Sequence, residues 1–502
     1  MQLSKSRFVA GRQCHRLLWW KVHEPNAVEL QPDKVLQDRF DQGAQVGALA
    51  REQFPGGTLI DLPYKEVAAR VELTRKAMAG GAPAIFEGTF VADDTRVDVD
   101  VLLREGKDGD AWRLIEVKSA TSQKDEHVPD AAVQLHVLTR DGVDVSGVEI
   151  MHLSKSFRHP DGGNLFARAD VTAEARAMLP VIPTELAAQL EMLNGFLPDA
   201  PIGINCHEPR ACPFMERCWP QEPDHIGKLY NVGPKKCDEY MKAGVHRIGD
   251  IPPKKKLPPA AKRQIRAMKE KCLVVERSDL SVALSPFHAK LGFLDFETIS
   301  RAVPVWPGMA PWEMAAAQFS YHEAQADGTH THSAFLAEGP EDARPALARA
   351  MVEATRGAEK IVTYSSFEKT RIRSLQQSVP ELRPELEALE HKLVDLLPVV
   401  RDHVYHPDFH GSFSLKYVLN PLVPELTYSD LVIVDGMVAS VEIARLLFVA
   451  GKIPAEERER VRKDLLDYCE RDTWAMVKLL ENLRALASVP APNEFPPLRL
   501  VQ

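Results

Sequence analysis

A chain of 502 residues is too long for a single hydrophobic core and, at about 100–200 residues per domain, is expected to form two large domains with a smaller element between them. Its 45% hydrophobic and 26% charged residues match globular composition, and no apolar run approaches the ~18 residues of a spanning helix, so no membrane-embedded function is expected. A net charge of −9 excludes a uniformly basic surface, so any grip on phosphate has to come from local basic clusters.

The N-terminal MQLSKSRFVAGRQCHRLLWWK scatters Lys and Arg through its apolar positions and lacks a small-residue cleavage site, so a cytoplasmic location is expected. Seven cysteines over this length read as reduced thiols and metal ligands rather than a disulfide framework. Turn and breaker residues divide the chain into an α/β region over 1–220, a short basic connector over 221–285 and a second α/β region over 286–490.

In the first region, strands are predicted over 86–92, 96–104 and 112–117, followed by helix. Side chains alternate faces along a strand, so Glu116 and Lys118 project together, as do Asp98 and Asp100 on the preceding strand. Antiparallel pairing brings one of these aspartates beside Glu116. Two carboxylates there form a hard-oxygen site for Mg²⁺ or Mn²⁺, with Lys118 placed to orient a water or neutralise developing charge. The succession VDVDVLLREG, RLIEVKSAT and DAAVQLHVL resembles the signature of the RecB-like PD-(D/E)XK nucleases over roughly residues 1–220. That resemblance implies Asp100 and Glu116 as metal ligands, Lys118 as the catalytic lysine and Gln134 as a helix-borne contact. Asp98 competes with Asp100, and Glu87 is a further carboxylate on the first strand. The chain departs from the family at Gly47, where a histidine is frequent, and at Leu138, where a tyrosine is expected.

Cys206, Cys212 and Cys218 follow one another at regular spacing, with Cys14 far upstream. Four thiolates complete a tetrahedral zinc site or an iron-sulfur cluster, and His207 keeps zinc open. One N-terminal cysteine plus a C-terminal triplet around a RecB-like core resembles the iron-sulfur nucleases of that superfamily. This implies a structural 4Fe-4S cluster on Cys14, Cys206, Cys212 and Cys218. Cys237, Cys272 and Cys469 lack such spacing and read as ordinary thiols.

The connector sequence LYNVGPKKCDEYMKAGVHRIGDIP resembles a helix-hairpin-helix motif, with Asn231 where glycine is commoner. The resemblance implies Gly233, Lys235 and Lys236 as phosphate contacts that read no bases. A basic stripe follows from Lys254 to Lys271, in which Lys254, Lys255 and Lys256 are further phosphate-contact candidates.

The last region opens with a strand over 291–297 that puts Asp295 and Glu297 on one face, where burying both is costly unless a cation compensates. A hairpin turn is predicted at Asp327-Gly328. Further on, IVTYSSFEKTRIRSL delivers Glu368 at a helix start, and DYCERDTWAMVKLL places Tyr468 and Asp472 four apart on one helix side. In this order the three pieces resemble the DEDD 3′-5′ exonucleases of the ribonuclease H-like fold, over roughly 286–485. The resemblance implies that Asp295, Glu297 and Asp472 hold a metal pair and that Tyr468 orients the water. Glu368 stands where that family has aspartate, Asp395 is its rival, and Lys416 in GSFSLKYVL is a phosphate contact. The whole chain resembles bacterial proteins that join the two nuclease types. This implies a metal-dependent hydrolase of DNA, acting exonucleolytically in repair or defence, with an RNA exonuclease or a catalytically impaired binding scaffold as alternatives.

Overall fold

Two mixed α/β units form from segments in which apolar residues alternate along strands and stripe the helices, in a computed structural model that describes residues 2–105, 111–252 and 255–488. Lys254 lies outside the described residues. Among those residues no helix is long and apolar enough to cross a membrane.

The first unit comprises Met1–Trp219 and Arg301–Glu313. It opens with helices α1 (Lys5–Gln13), α2 (His15–His23) and α3 (Lys34–Arg51). Strands β1 (Ala84–Ala92), β2 (Thr95–Glu105) and β3 (Ala111–Lys118) are antiparallel neighbours. Asp93 and Asp94 join β1 to β2 with φ of 48° and 51°, the paired left-handed conformation that a two-residue hairpin turn demands. Helix α4 (His127–Arg140) then leads to β4 (Val145–Leu153), parallel to β3, and β5 (Phe166–Asp170) lies antiparallel beyond it. The sheet order is β1-β2-β3-β4-β5, extended by short strands at Leu3–Ser4 and Thr58–Leu59. α4 is buried almost throughout: Val133, Leu135, Val137 and Leu138 enter one core with Val99, Leu114, Val148 and Ile150. Within the same unit, the Arg301 guanidinium pairs with Asp38 at 2.6 Å and Trp312 Nε1 donates to the Ser119 carbonyl at 2.6 Å.

The second unit comprises Pro220–Ser300 and Met314–Gln502. Its first part holds α6 (Pro234–Lys242) and α7 (Pro259–Glu270), α5 (Ile182–Leu193) being the last long helix of the first unit. Where a helix is expected ahead of Gly233-Pro234, the chain makes a single 3₁₀ turn over Ile226–Lys228. Asn231 does take the left-handed conformation, with φ of 59°. The second sheet runs β8-β7-β6-β9-β10, from β6 (Leu291–Ser300), β7 (Met314–Ala324), β8 (His330–Leu336), β9 (Lys360–Thr363) and β10 (Leu393–Asp395). β6, β7 and β8 are antiparallel, whereas β9 and β10 run parallel to β6. Helix α8 (Arg344–Ala354) connects β8 to β9, and α9 (Phe367–Ser378) follows β9. After them come α10 (Leu415–Leu422), α11 (Gly436–Phe448) and the 34-residue α12 (Ala455–Ser488). Leu294 and Phe296 of β6 pack with Leu347, Met351 and Ile372 on one side of the sheet. Phe293 packs with Met476 and Leu480 of α12 on the other, the side to which Asp295 and Glu297 also alternate.

Candidate functional site

The β2–β3 ladder ends at Val101–Ile115, so the next residues, Asp100 and Glu116, face each other where the strands part. Asp100 Oδ2 there accepts the Val117 N–H at 2.7 Å. Glu116 is buried and accepts from the Lys5 ammonium at 2.7 and 2.9 Å, from Lys118 at 2.7 Å and from Gln134 Nε2 at 2.6 Å. Lys118 also pairs with Asp130 at 2.5 Å. Burial opposes the charge on Glu116, yet Lys118 and Lys5 outweigh it and hold the group well below the usual carboxylate range. Asp100 goes the other way: burial and the neighbouring Glu116 push it up to about 7.

Asp98 and Asp100 part company here. Asp98 accepts from Thr89 Oγ1 at 2.5 Å and Arg96 at 2.9 Å, with Arg70 at 3.4 Å, so its charge is committed to ion pairs within the unit. Opposite Asp100, β1 carries Glu87 with a left-handed φ of 56° and its carboxylate 3.7 Å from Arg51. Gly47 lies on α3 with open space around it, and Leu138 is a fully buried core residue. Lys5 and Asp130 carry no spacing signal. Lys5 sits 111 positions before Glu116, brought there because Ser4 caps α1 beside β2.

The second centre gathers acids from three elements. Asp295 and Glu297 of β6 and Asp472 of α12, although Asp295 and Asp472 lie 177 positions apart, offer carboxylate oxygens within 4.8 Å of one another. Glu368, in the first turn of α9, is buried against Asp295. Burial, reinforced by Asp472 and Glu368, raises Asp295 and Glu297 well above the carboxylate range, and burial pushes Glu368 up to about 7. Asp472 is raised as well, although the Tyr428 and Tyr468 hydroxyls hydrogen-bond it. Glu368 Oε2 is buried without a hydrogen-bond partner among the described residues. The cations near these acids are Arg471, which acts on Asp472, and Lys416, whose ammonium donates to Tyr468 Oη at 3.0 Å and to the Val434 carbonyl.

Asp395 is engaged differently: its Oδ1 accepts the Ser365 and Leu397 N–H groups, each at 2.9 Å, and so shapes the turn that leads to Glu368. Three neighbours carry no sequence signal of their role. Tyr428 touches Asp472, Cys469 Sγ lies 3.8 Å from Asp295 Oδ2, and a Cβ on Gly436 would stand 3.3 Å from Glu297 Oε2. Asp435 just before that glycine caps α11, its Oδ1 accepting the Met437 and Val438 N–H groups at 2.9 Å.

Cys14, Cys212 and Cys218 pack against Leu17, Trp20 and Phe214, and Cys206 lies close enough to act on Cys212. The Cys212 thiol is pushed up to about 11 by burial, with Cys14, Cys206 and Cys218 adding repulsion. Arg16 donates to Cys218 Sγ at 3.6 Å, and His207 packs edge-on to Trp219 at 5.2 Å. In the connector, Gly233 immediately precedes α6, and Lys235, Lys236, Lys255 and Lys256 are exposed. Lys255 lies over the Tyr240 ring, at 5.4 Å. Arg263 of the basic stripe faces inward instead, donating to the carbonyls of Arg401, at 2.8 Å, and Asp402, whereas Arg266 is exposed and pairs with Glu270 at 3.1 Å.

Residues 292–414, which carry Asp295, Glu297 and Glu368, match a family described as a domain of unknown function, DUF2779. No curated protein and no solved structure matches the chain.

Proposed function

We propose that the chain is a metal-dependent nuclease that hydrolyses DNA phosphodiester bonds, with the second centre removing nucleotides from an end in repair or defence. The observation that carries this reading is the convergence of Asp295, Glu297, Glu368 and Asp472, the last three buried and Asp295 half-buried, four acids that face Lys416 and, at Asp472, Arg471 as their nearby cations. Such a set is costly to bury unless cations share it. Oxygen ligands of this kind suit Mg²⁺ or Mn²⁺, and the orphaned Glu368 Oε2 supplies a further ligand atom. A metal pair bound there would supply an activated water and stabilisation of the leaving oxygen. Asp295, Glu297 and Asp472 would hold the pair and Glu368 would complete it, while Tyr468 keeps its proton because burial and the surrounding acids raise it. Lys416 fixes the Tyr468 hydroxyl, which positions the water, and its ammonium also faces an incoming phosphate.

The first centre supports a second role on one observation: Lys5 and Lys118 already neutralise Glu116. A cation there competes with an ammonium, so this centre acts as a binding site or as a weaker Mg²⁺ or Mn²⁺ nuclease centre using Asp100, Glu116, Lys118 and Gln134. Four converging thiols suit a 4Fe-4S cluster on Cys14, Cys206, Cys212 and Cys218 that ties the two ends of the first region together. An iron-sulfur chromophore is expected in protein purified without oxygen. A colourless sample with one zinc and no iron favours the zinc alternative. Gly233, Lys235, Lys236 and the Lys254, Lys255 and Lys256 run supply phosphate contacts.

The deciding experiment digests end-labelled single- and double-stranded DNA and RNA in Mg²⁺ or Mn²⁺ with wild type, Lys118→Ala and Asp295→Ala. Stepwise products that vanish in Asp295→Ala support the reading, and preference for RNA replaces DNA as substrate. A wild type that binds these strands and cuts none makes the chain a binding scaffold.

A further inference from the structure

On the second sheet, β7 and β8 place His322 and His332 directly opposite each other, on the face covered by α12. Their rings stack with centroids 4.6 Å apart. With Glu470 of α12 they offer three ligand atoms within 4.8 Å of one another. We propose that His322, His332 and Glu470 form a binding site for a zinc-class transition-metal ion, separate from the carboxylate centre.

The hydrogen bonds around the rings decide which nitrogens are free. Thr473 Oγ1 donates to the Glu470 carbonyl at 3.0 Å, so the Ser320 hydroxyl, 2.8 Å from Thr473 Oγ1, donates to it. Ser320 Oγ then accepts from His332 Nε2 at 2.9 Å, and Thr473 Oγ1 accepts from His322 Nδ1 at 2.8 Å. Every proton in this relay is placed, a tautomer assignment drawn from the network. It leaves His322 Nε2 and His332 Nδ1 as bare lone pairs. A hydrogen-bonded second nitrogen is how metal-binding imidazoles are oriented.

His332 Nδ1 faces Glu470 Oε1 at 3.8 Å. A lone pair facing a carboxylate is repulsive, and the gap is too long for a hydrogen bond. It is the span that one ion at about 2.0–2.2 Å from each atom bridges. Burial keeps His322 neutral, pushing it down to about 4, with His332 and His330 adding to the shift. Imidazole nitrogens with one carboxylate suit zinc rather than the magnesium or manganese of an all-oxygen site. His332 and Glu470 remain partly exposed, at 28% and 48%, which leaves an entry path. The bound ion clips the β7–β8 hairpin to the segment of α12 that carries Asp472, two residues beyond Glu470.

The test measures zinc bound per chain by equilibrium dialysis of the full-length protein after chelator treatment, with circular dichroism confirming that each variant folds. Wild type is expected to bind one more equivalent than His332→Ala, with about 10–100-fold weaker binding in Ser320→Ala. Glu470→Gln, a solvent-facing change that keeps side-chain shape, is expected to weaken binding while the cysteine cluster is untouched. Asp295→Asn is expected to retain the equivalent. Equal zinc content in wild type, His332→Ala and Glu470→Gln overturns the site, and so does loss of the equivalent in Asp295→Asn alone.

Discussion

Two centres on this chain gather carboxylates around a strand of each sheet, and they balance their charge in opposite ways. In the first, Lys5 and Lys118 reach Glu116 within 2.9 Å, and Lys118 spans to Asp130. Glu116 therefore stays ionised despite its burial, and the cost falls on Asp100 and Glu87, which burial raises. In the second, four acids, three buried and Asp295 half-buried, converge with Lys416 and Arg471 as their nearby cations, and all four are pushed upward. A protein that carries its own counter-ions is stable without a ligand. One that leaves acids uncompensated is poised to take up cations.

The contrast breaks most visibly in activity. Asp295→Asn and Asp472→Asn are each expected to abolish stepwise digestion, by at least about 10³-fold, and the double variant is expected to be no worse because the residues act as a unit. Single-turnover assays on end-labelled strands measure this. Stepwise products that survive both changes yet disappear in Lys118→Ala move the exonuclease to the first centre. Next in size, Glu368→Gln is expected to match that severe pair, whereas Asp395→Asn is expected to be mild, because an amide oxygen still accepts the Ser365 and Leu397 N–H groups. Reversal of the two phenotypes makes Asp395 the fourth ligand.

In the lysine-balanced centre the expected effect is on stability. Lys5→Met leaves Glu116 with Lys118 alone, and stripping one partner from a buried charge pair costs about 3–5 kcal/mol when nothing replaces it. With Lys118 still in place, a loss of ~2–3 kcal/mol is expected in urea unfolding, recovered in part by millimolar Mn²⁺ if the vacated side of Glu116 accepts a cation. Unchanged stability without metal shows that Lys5 does not balance the centre.

Much of this arrangement was legible because it is local. Period-2 alternation put Glu116 with Lys118 and Asp295 with Glu297 on shared faces, and the helical repeat aligned Tyr468 with Asp472. The Asp327-Gly328 hairpin was readable from turn chemistry alone. Lys5 was not, because α1 is brought to Glu116 by the pairing of Leu3 and Ser4 with β2, a contact across some ninety residues with no repeat to announce it. The choice between Asp98 and Asp100 also escaped alternation, since both share a face. Arg70 and Arg96 decide it by engaging Asp98. Cys469 read as an ordinary thiol until α12 laid it beside Asp295. The histidine pair of β7 and β8 is invisible for the same reason, since only strand register sets His322 against His332.

The smallest effect is the most direct measure of the contrast, because it asks how each centre responds to pH when cations are added. Glu368 sits at about 7 in the folded chain against about 4.5 unfolded, and Asp295 and Glu297 lie well above their ordinary values. Over that window the folded state binds more protons than the unfolded one, so these acids make stability fall as pH rises from about 4.5 through 7. For Glu368 alone the shift corresponds to about 3 kcal/mol. A divalent cation takes the place of those protons, so its stabilisation has to grow as they leave. Mg²⁺ or Mn²⁺ is therefore expected to raise Tm by about 5–10 °C more at pH 8 than at pH 5.5, given ~2–4 °C per kcal/mol for a unit of this size. Asp295→Asn is expected to remove most of that difference. Asp100→Asn is expected to remove little, because Lys5 and Lys118 already stand where a cation would act. If instead Asp100→Asn erases the pH dependence and Asp295→Asn leaves it, the first centre is the one that takes the metal, despite its lysines.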